Sequence, residues 1–296
     1  QQRDHTNFLE YLSKATYPKM LRVAISRAAN NAQAKRHFFF STAQTSSSIH
    51  DMVTAAFPNA ITNAELVEKT TAALKEYGYG ETTLLASSLC CDEVSRKLEE
   101  DFEPHYGPNF SMGGLAGIPH GGIVSFGAMA HHIPDGGSCL ICFGPHVGVD
   151  YDGNVGKVNR RGMANSGACC GSACAAAGHV DCVHKGAEPQ DPAVLSDPVS
   201  AQQAMVNQVL MPYAETLAKS PEPMVELPLS LYDAQKKLMD KIVEAGCQEV
   251  GGDGKIALLG GVQINTPPDE SDYFLPLSFD IRSNKNEVIK DLSTTF

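Results

Sequence analysis

Apolar residues recur along the chain at two periods, and the change from one to the other separates helices from strands. Leu21, Ile25, Ala28 and Ala29 fall at i, i+4, i+7 and i+8, one face of a helix. Thr62-Asn63-Ala64-Glu65 has the spacing of a capping box and opens a second helical stretch with Leu66, Ala72, Ala73 and Leu74, which Gly78 and Gly80 close. Residues 82–89 read instead as a buried strand, followed by Cys90-Cys91-Asp92-Glu93 and a polar helix over 94–102. Residues 138–143 form a second apolar run that stops at Gly144-Pro145-His146. Tyr151-Asp152-Gly153-Asn154 is a hairpin turn between 147–150 and 155–159, and 168–173 starts a small-residue helix. Beyond an acidic, Pro-containing connector, amphipathic helices are predicted over about 199–219 and 230–245. Residues 255–259, extended by 262–265 after Gly260-Gly261, read as a third buried strand, and 273–279 as an edge strand. Strands alternating with helices imply an α/β fold with a central sheet of about four to five strands flanked by helices. Residues 1–80 read as a helical segment packing on the core, and 81–296 as the sheet domain with C-terminal helices.

Composition narrows the function. A chain of 296 residues is long enough for a sizeable core. Lys and Arg number 23 against 34 Asp and Glu, a net charge of −11 that repels phosphate backbones, so nucleic acid is not the expected partner. No apolar run approaches the ~18–20 residues of a membrane span, and no membrane association is expected. Nine cysteines, four of them in the adjacent pairs Cys90-Cys91 and Cys169-Cys170, make a poor disulfide scaffold and suggest free thiols in a reducing compartment. The chain begins Gln1-Gln2-Arg3-Asp4 with no signal-peptide pattern, so residues elsewhere must speak for its location.

Three residues carry candidate chemistry. Cys90 and His146 each stand just past a predicted buried strand, where open α/β sheets place their ligands. Cys170, followed by Gly171, opens a helix, where backbone N–H groups favour a thiolate. Two thiolates and a neutral imidazole suit Zn2+ and leave a fourth position for water, the arrangement of a catalytic site. Asp92 lies two residues after Cys90 and reaches the same water; a cation beside it would keep it ionised and off the metal. The competing reading is a set of buried thiols and a core histidine. Cys139, Cys142, Cys174 and Cys182 read as packing, although Cys174, at i+4 from Cys170, would close the site if it became a fourth thiolate ligand. His131 and His132 are candidate proton shuttles, or alternatively helix-end hydrogen-bonding groups. No strand–GxGxxG–helix, Walker lysine or H-E-x-x-H is present, which argues against nucleotide binding and zincin chemistry.

The blocks Ser87-Ser88-Leu89-Cys90-Cys91-Asp92-Glu93, Gly113-Gly114-Leu115-Ala116-Gly117, residues 127–137 (GAMAHHIPDGG), Gly144-Pro145-His146-Val147-Gly148 and Cys169-Cys170-Gly171-Ser172 resemble the limiting-CO2-inducible B/C protein family, relatives of theta-type carbonic anhydrases. The resemblance implies a β-carbonic-anhydrase-like fold, a homodimer, and zinc held by Cys-His-Cys, with some members hydrating CO2 and others silent. It also implies a chloroplast location within CO2-concentrating machinery. Cys90-Cys91-Asp92 is similar to the Cys-x-Asp-x-Arg pattern of β-carbonic anhydrases, but Val94 stands where arginine would fall. Arg96, at i+4 from Asp92, is the favoured partner, with Arg160 and Arg161 of the following hairpin as alternatives. The His-x-x-Cys-Gly pattern is split by the inserted hairpin between His146 and Cys170, and Cys170 is preferred to Cys169 because glycine follows it directly.

The expected function is therefore zinc-dependent hydration of CO2 to bicarbonate, with Cys90, His146 and Cys170 as ligands and Asp92 and Arg96 as the catalytic pair. The alternatives are a silent subunit of the same fold in a complex that handles CO2 or bicarbonate, and a thiol redox protein.

Overall fold

The computed structural model describes residues 48–296. The helix expected around Leu21 and Ile25 lies outside the described residues. In chain order the first elements are α1 (Ile49–Ala56), β1 (Ile61–Thr62), α2 (Asn63–Lys75), β2 (Thr83–Ser88), α3 (Arg96–Tyr106), β3 (Phe110–Ser111) and α4 (Gly122–Ala130). They are followed by β4 (Ser138–Phe143), β5 (His146–Gly148), β6 (Lys157–Val158), β7 (Gly167–Ala168) and α5 (Gly171–His184). The C-terminal part holds α6 (Ala201–Leu210), α7 (Ala214–Lys219), α8 (Pro223–Gly246), β8 (Lys255–Asn265), β9 (Tyr273–Ser283) and β10 (Val288–Asp291).

Local chemistry explains most of these boundaries. Ser48 and Asp51 satisfy each other's backbone N–H groups in a complete capping box at α1. At α2 only half of the expected box is made. Thr62 accepts from Glu65 N at 3.3 Å, while the Glu65 carboxylate turns to Lys69 at 3.0 Å. The predicted helix over 199–219 is split, because the turn at Met211–Tyr213 contains Pro212, which has no N–H for the helical ladder. The last long helix starts at Pro223, well before the predicted 230, with Pro228 tolerated inside it.

The main sheet has eight strands where four to five are expected from sequence. Its path is β1-β9-β8-β4-β2-β3, with β10 on β9 and β5 on β8. The additional strands β1, β3, β5 and β10 are two to four residues long, too short to display a period. β2, β3, β4 and β8 are parallel, and β9 runs antiparallel to β8 along nearly its whole length. β9 is therefore not an edge strand: β1 and β10 lie on its outer side.

Side chains alternate across this sheet into two cores. Cys139, Ile141 and Phe143 of β4, with Ile256 and Leu258 of β8, pack on α4 and α8 through Phe126, Met129, Met239 and Val243. Leu140, Cys142, Ala257 and Leu259 face the other way, onto Leu66 and Leu74 of α2 and Leu98 and Phe102 of α3. Burial of both faces is why the central strands read as unbroken apolar runs. A third cluster, built from α5, α6 and the start of α8, encloses Cys90 and Cys170. No helix among the described residues is long and apolar enough to cross a membrane.

Candidate metal centre

The centre forms where β2 and β4 end. Past Ser88 the chain reaches Cys90, and the 112–114 segment presses against that strand end. Met112 N donates to Ser87 O at 2.7 Å, and Cys91 N donates to Gly114 O at 3.2 Å. A Cβ at Gly113 would stand 2.1 Å from the Leu89 carbonyl oxygen, so only glycine permits this approach. β4 is likewise interrupted at Gly144, whose φ is +152° and whose added Cβ would lie 1.8 Å from the Gly261 carbonyl. The chain then resumes as β5 alongside β8 and delivers His146, 1% exposed, to the centre. Cys170 arrives as the N-cap residue of α5.

These three residues come together. Their sulfur and nitrogen donor atoms all lie within 4.8 Å of one another, and the sulfurs of Cys90 and Cys170 are 3.8 Å apart. Nδ1 of His146 faces Asn265 Oδ1 at 2.8 Å, whereas Nε2 is buried without a hydrogen-bond partner and is the nitrogen available to an ion. Cys169 lies on the opposite side of the ring, 3.4 Å from Nδ1, and forms with Asp92 and His146 a second group of donors. Cys174 belongs to neither group.

Asp92 begins the 3-10 turn Glu93–Ser95, accepting from Val94 N, and its Oδ2 receives Arg160 Nη2 at 2.6 Å. Arg160 Nε donates at the same time to Glu93 Oε1 at 2.7 Å. The expected pairing of Asp92 with Arg96 is thereby corrected. Asp92 sits before the helix, not on its face, so the i+4 rule does not bring the two together. Arg96, the first residue of α3, donates to Glu99 at 2.7 Å and turns back to the Cys90 carbonyl. It braces the backbone of the cysteine loop. Arg160 comes from the hairpin inserted between His146 and Cys170, whose ends are tied by Ser166 Oγ donating to Asp150 Oδ2 at 2.7 Å.

The two histidines read as shuttles are not brought to the centre. α4 runs into the loop that starts β4, which carries His131 toward the end where strands begin. His131 faces Glu249 at 3.7 Å, and His132 packs edge-on against Phe110 with ring centroids 5.3 Å apart. Asn265 is the site residue that sequence reading missed. Its signal was available: a polar side chain closing a long apolar strand, the same placement that marked Cys90 and His146.

Electrostatics at the centre follow from burial and crowding. The contact with Cys170, together with burial, pushes the Cys90 thiol up to about 12 despite the opposing His146. Burial disfavours the His146 imidazolium, but the surrounding sulfurs of Cys169 and Cys90 outweigh it and raise the ring's pKa well above the ordinary value. A dication among the same sulfurs would take over that charge compensation and leave the ring neutral. Burial alone would raise the Asp92 carboxyl; Glu93, His146 and Arg160 outweigh it and hold the group below the ordinary carboxylate value.

A buried two-thiol, one-imidazole donor set at the strand ends of an α/β sheet defines a metal-capable centre with an Asp–Arg pair beside it. Residues 60–283 match the family of limiting CO2-inducible proteins B/C beta carbonic anhydrases, and the chain belongs to that family. It is similar to the crystal structure of PtLCIB4, a homolog of the limiting CO2-inducible protein LCIB, with 49% identity over 82% of this chain and 99% of that one, at a TM-score of 0.77. The crystal structure of LCIB itself matches at 18% identity and a TM-score of 0.62, over 82% of this chain and 99% of that one, a likeness of fold. No curated protein matches the chain.

Proposed function

We propose that this protein is a zinc-dependent carbonic anhydrase that interconverts CO2 and bicarbonate. The observation that carries the reading is the convergence of the Cys90, His146 and Cys170 donor atoms within 4.8 Å. Two sulfurs and one imidazole are a zinc donor set of the kind that leaves a fourth position open, and the partnerless buried Nε2 of His146 would be satisfied by an ion. Bound there, Zn2+ supplies a Lewis acid that brings the pKa of water toward ~7, a magnitude established for carbonic anhydrases of another ligand class.

The chain's own side chains do the rest. Cys90 and Cys170 would balance the charge of the dication, and His146 would add a neutral donor. Asp92, paired with Arg160 at Oδ2 and taking the Val94 N–H at Oδ1 at 3.4 Å, would accept a hydrogen bond from the reacting water and turn a lone pair toward the CO2 carbon. Ala116, Ile118, Leu227 and Leu231 pack around the thiols as an apolar wall that excludes bulk water and suits a small uncharged substrate. Water and CO2 yield bicarbonate and a proton, which passes to buffer.

Stopped-flow hydration by the zinc-loaded and chelator-stripped protein tests the proposal, with Cys90→Ser and His146→Ala as variants. Activity that needs zinc and is lost in both variants supports it; activity unchanged in either variant refutes the mechanism. Full zinc occupancy with no turnover would instead make the chain a silent subunit. The thiol redox reading requires a low-pKa cysteine, and at Cys90 the contact with Cys170 together with burial drives the opposite way, up to about 12. The family description supports a role under limiting CO2. We place that role in chloroplast CO2-concentrating machinery and assign the protein as a homodimer, to be checked by imaging a tagged chain and by light scattering.

A further inference from the structure

Asn265, the last residue of β8 and 2% exposed, has no role in the chemistry above, yet its amide is fully engaged. Nδ2 donates to the Val94 carbonyl at 2.9 Å and to Asp272 Oδ2 at 3.1 Å. Asp272 is itself held by Thr266, whose N–H donates to Oδ1 at 2.8 Å. Two acceptors at one end of the amide fix which end is nitrogen: a flipped amide would set its oxygen against a carbonyl and a carboxylate. The oxygen therefore faces His146, 2.8 Å from Nδ1.

An amide oxygen only accepts, so Nδ1 must carry the ring hydrogen. A neutral imidazole with Nδ1–H presents its lone pair on Nε2, the buried nitrogen without a partner. The Cys169 thiol, 3.8 Å from Asn265 Oδ1, donates to the same oxygen and leaves this assignment intact. We infer that Asn265, anchored by Asp272 and the Val94 carbonyl, is a positioning residue that fixes the tautomer and orientation of His146 so that Nε2 is offered to the metal. The inference rests on His146 being a zinc ligand, as proposed above.

The test compares zinc dissociation constants, by competition with a chromogenic chelator, for the wild-type chain, Asn265→Leu and Asn265→Asp. Both variants lose the donations to Val94 and Asp272, but only leucine loses the acceptor for Nδ1–H. Asn265→Leu is expected to bind zinc about 10- to 100-fold more weakly, and Asn265→Asp, which keeps the acceptor but sets an oxygen against the Val94 carbonyl and Asp272, to lose clearly less than Asn265→Leu. Equal losses in the two variants, or no loss in Asn265→Leu, overturn the inference. Ring 15N shifts of His146 in the zinc-loaded wild type need no variant to fold: protonated Nδ1 with metal on Nε2 is expected, and metal on Nδ1 refutes it. If His146→Ala abolishes binding while Asn265→Leu does not, the inference alone fails. A wild-type chain that takes up no zinc, or a His146→Ala variant that keeps its zinc, sinks the proposed function with it.

Discussion

Replacing Arg160 by alanine removes one of the groups that keep Asp92 ionised, the one that holds it by an ion pair. Arg160 Nη2 lies 2.6 Å from Asp92 Oδ2, with the two side chains 23% and 16% exposed. That is too enclosed for the ~0.2–1 kcal/mol of a surface ion pair and too open for the ~3–5 kcal/mol lost on breaking a fully buried one. A charge-assisted hydrogen bond of about 2 kcal/mol is the appropriate size. Its removal weakens the hold on the ionised form and raises the Asp92 pKa toward the ordinary carboxylate value. The carboxylate is the working form, so protonation then begins at higher pH, and the acid limb of the hydration profile moves up. The assay is a stopped-flow pH series on zinc-loaded wild type, Arg160→Ala and Arg96→Ala. Arg96 faces Glu99 and the Cys90 carbonyl, so its variant is expected to leave the limb in place. An unmoved limb in Arg160→Ala, or an equal displacement in Arg96→Ala, refutes the assignment of Arg160 as the partner of Asp92.

Gly144→Ala is expected to destabilise the fold by about 3 kcal/mol or more, because its Cβ would meet the Gly261 carbonyl at 1.8 Å; urea unfolding reads the loss directly. Phe102→Ala, at a position with 0% exposure between α3 and the sheet, should cost about 3–5 kcal/mol by the same measurement. Asp240 receives Arg282 Nη2 at 2.8 Å. Burial works to raise its carboxyl, but Lys236 and Arg282 hold it below the ordinary value of 3.8. Its contribution is therefore complete above pH 3.8 and is lost as pH falls through the lowered value, so Asp240→Asn should flatten the acid side of the stability curve; an unchanged acid side would remove the pair from the account.

The chain's own pattern determined the interior of this protein. Runs at 82–89, 138–143 and 255–265 had to be buried on both faces, because no polar alternation offers them a wet side, and they became β2, β4 and β8. The strand-end rule then marked Cys90 and His146, and the helix start marked Cys170, since both rules depend on backbone geometry that local sequence already encodes. What sequence left undecided were contacts between distant segments. Arg160 reaches Asp92 from an inserted hairpin, and Asn265 meets His146 only because β5 and β8 lie side by side. Short edge strands such as β1 and β3 acquire their structure from a partner, not from their own residues. Spacing along a chain states which groups a segment carries; which nitrogen of His146 stays free, and which guanidinium holds Asp92, follow from packing that closes only in three dimensions.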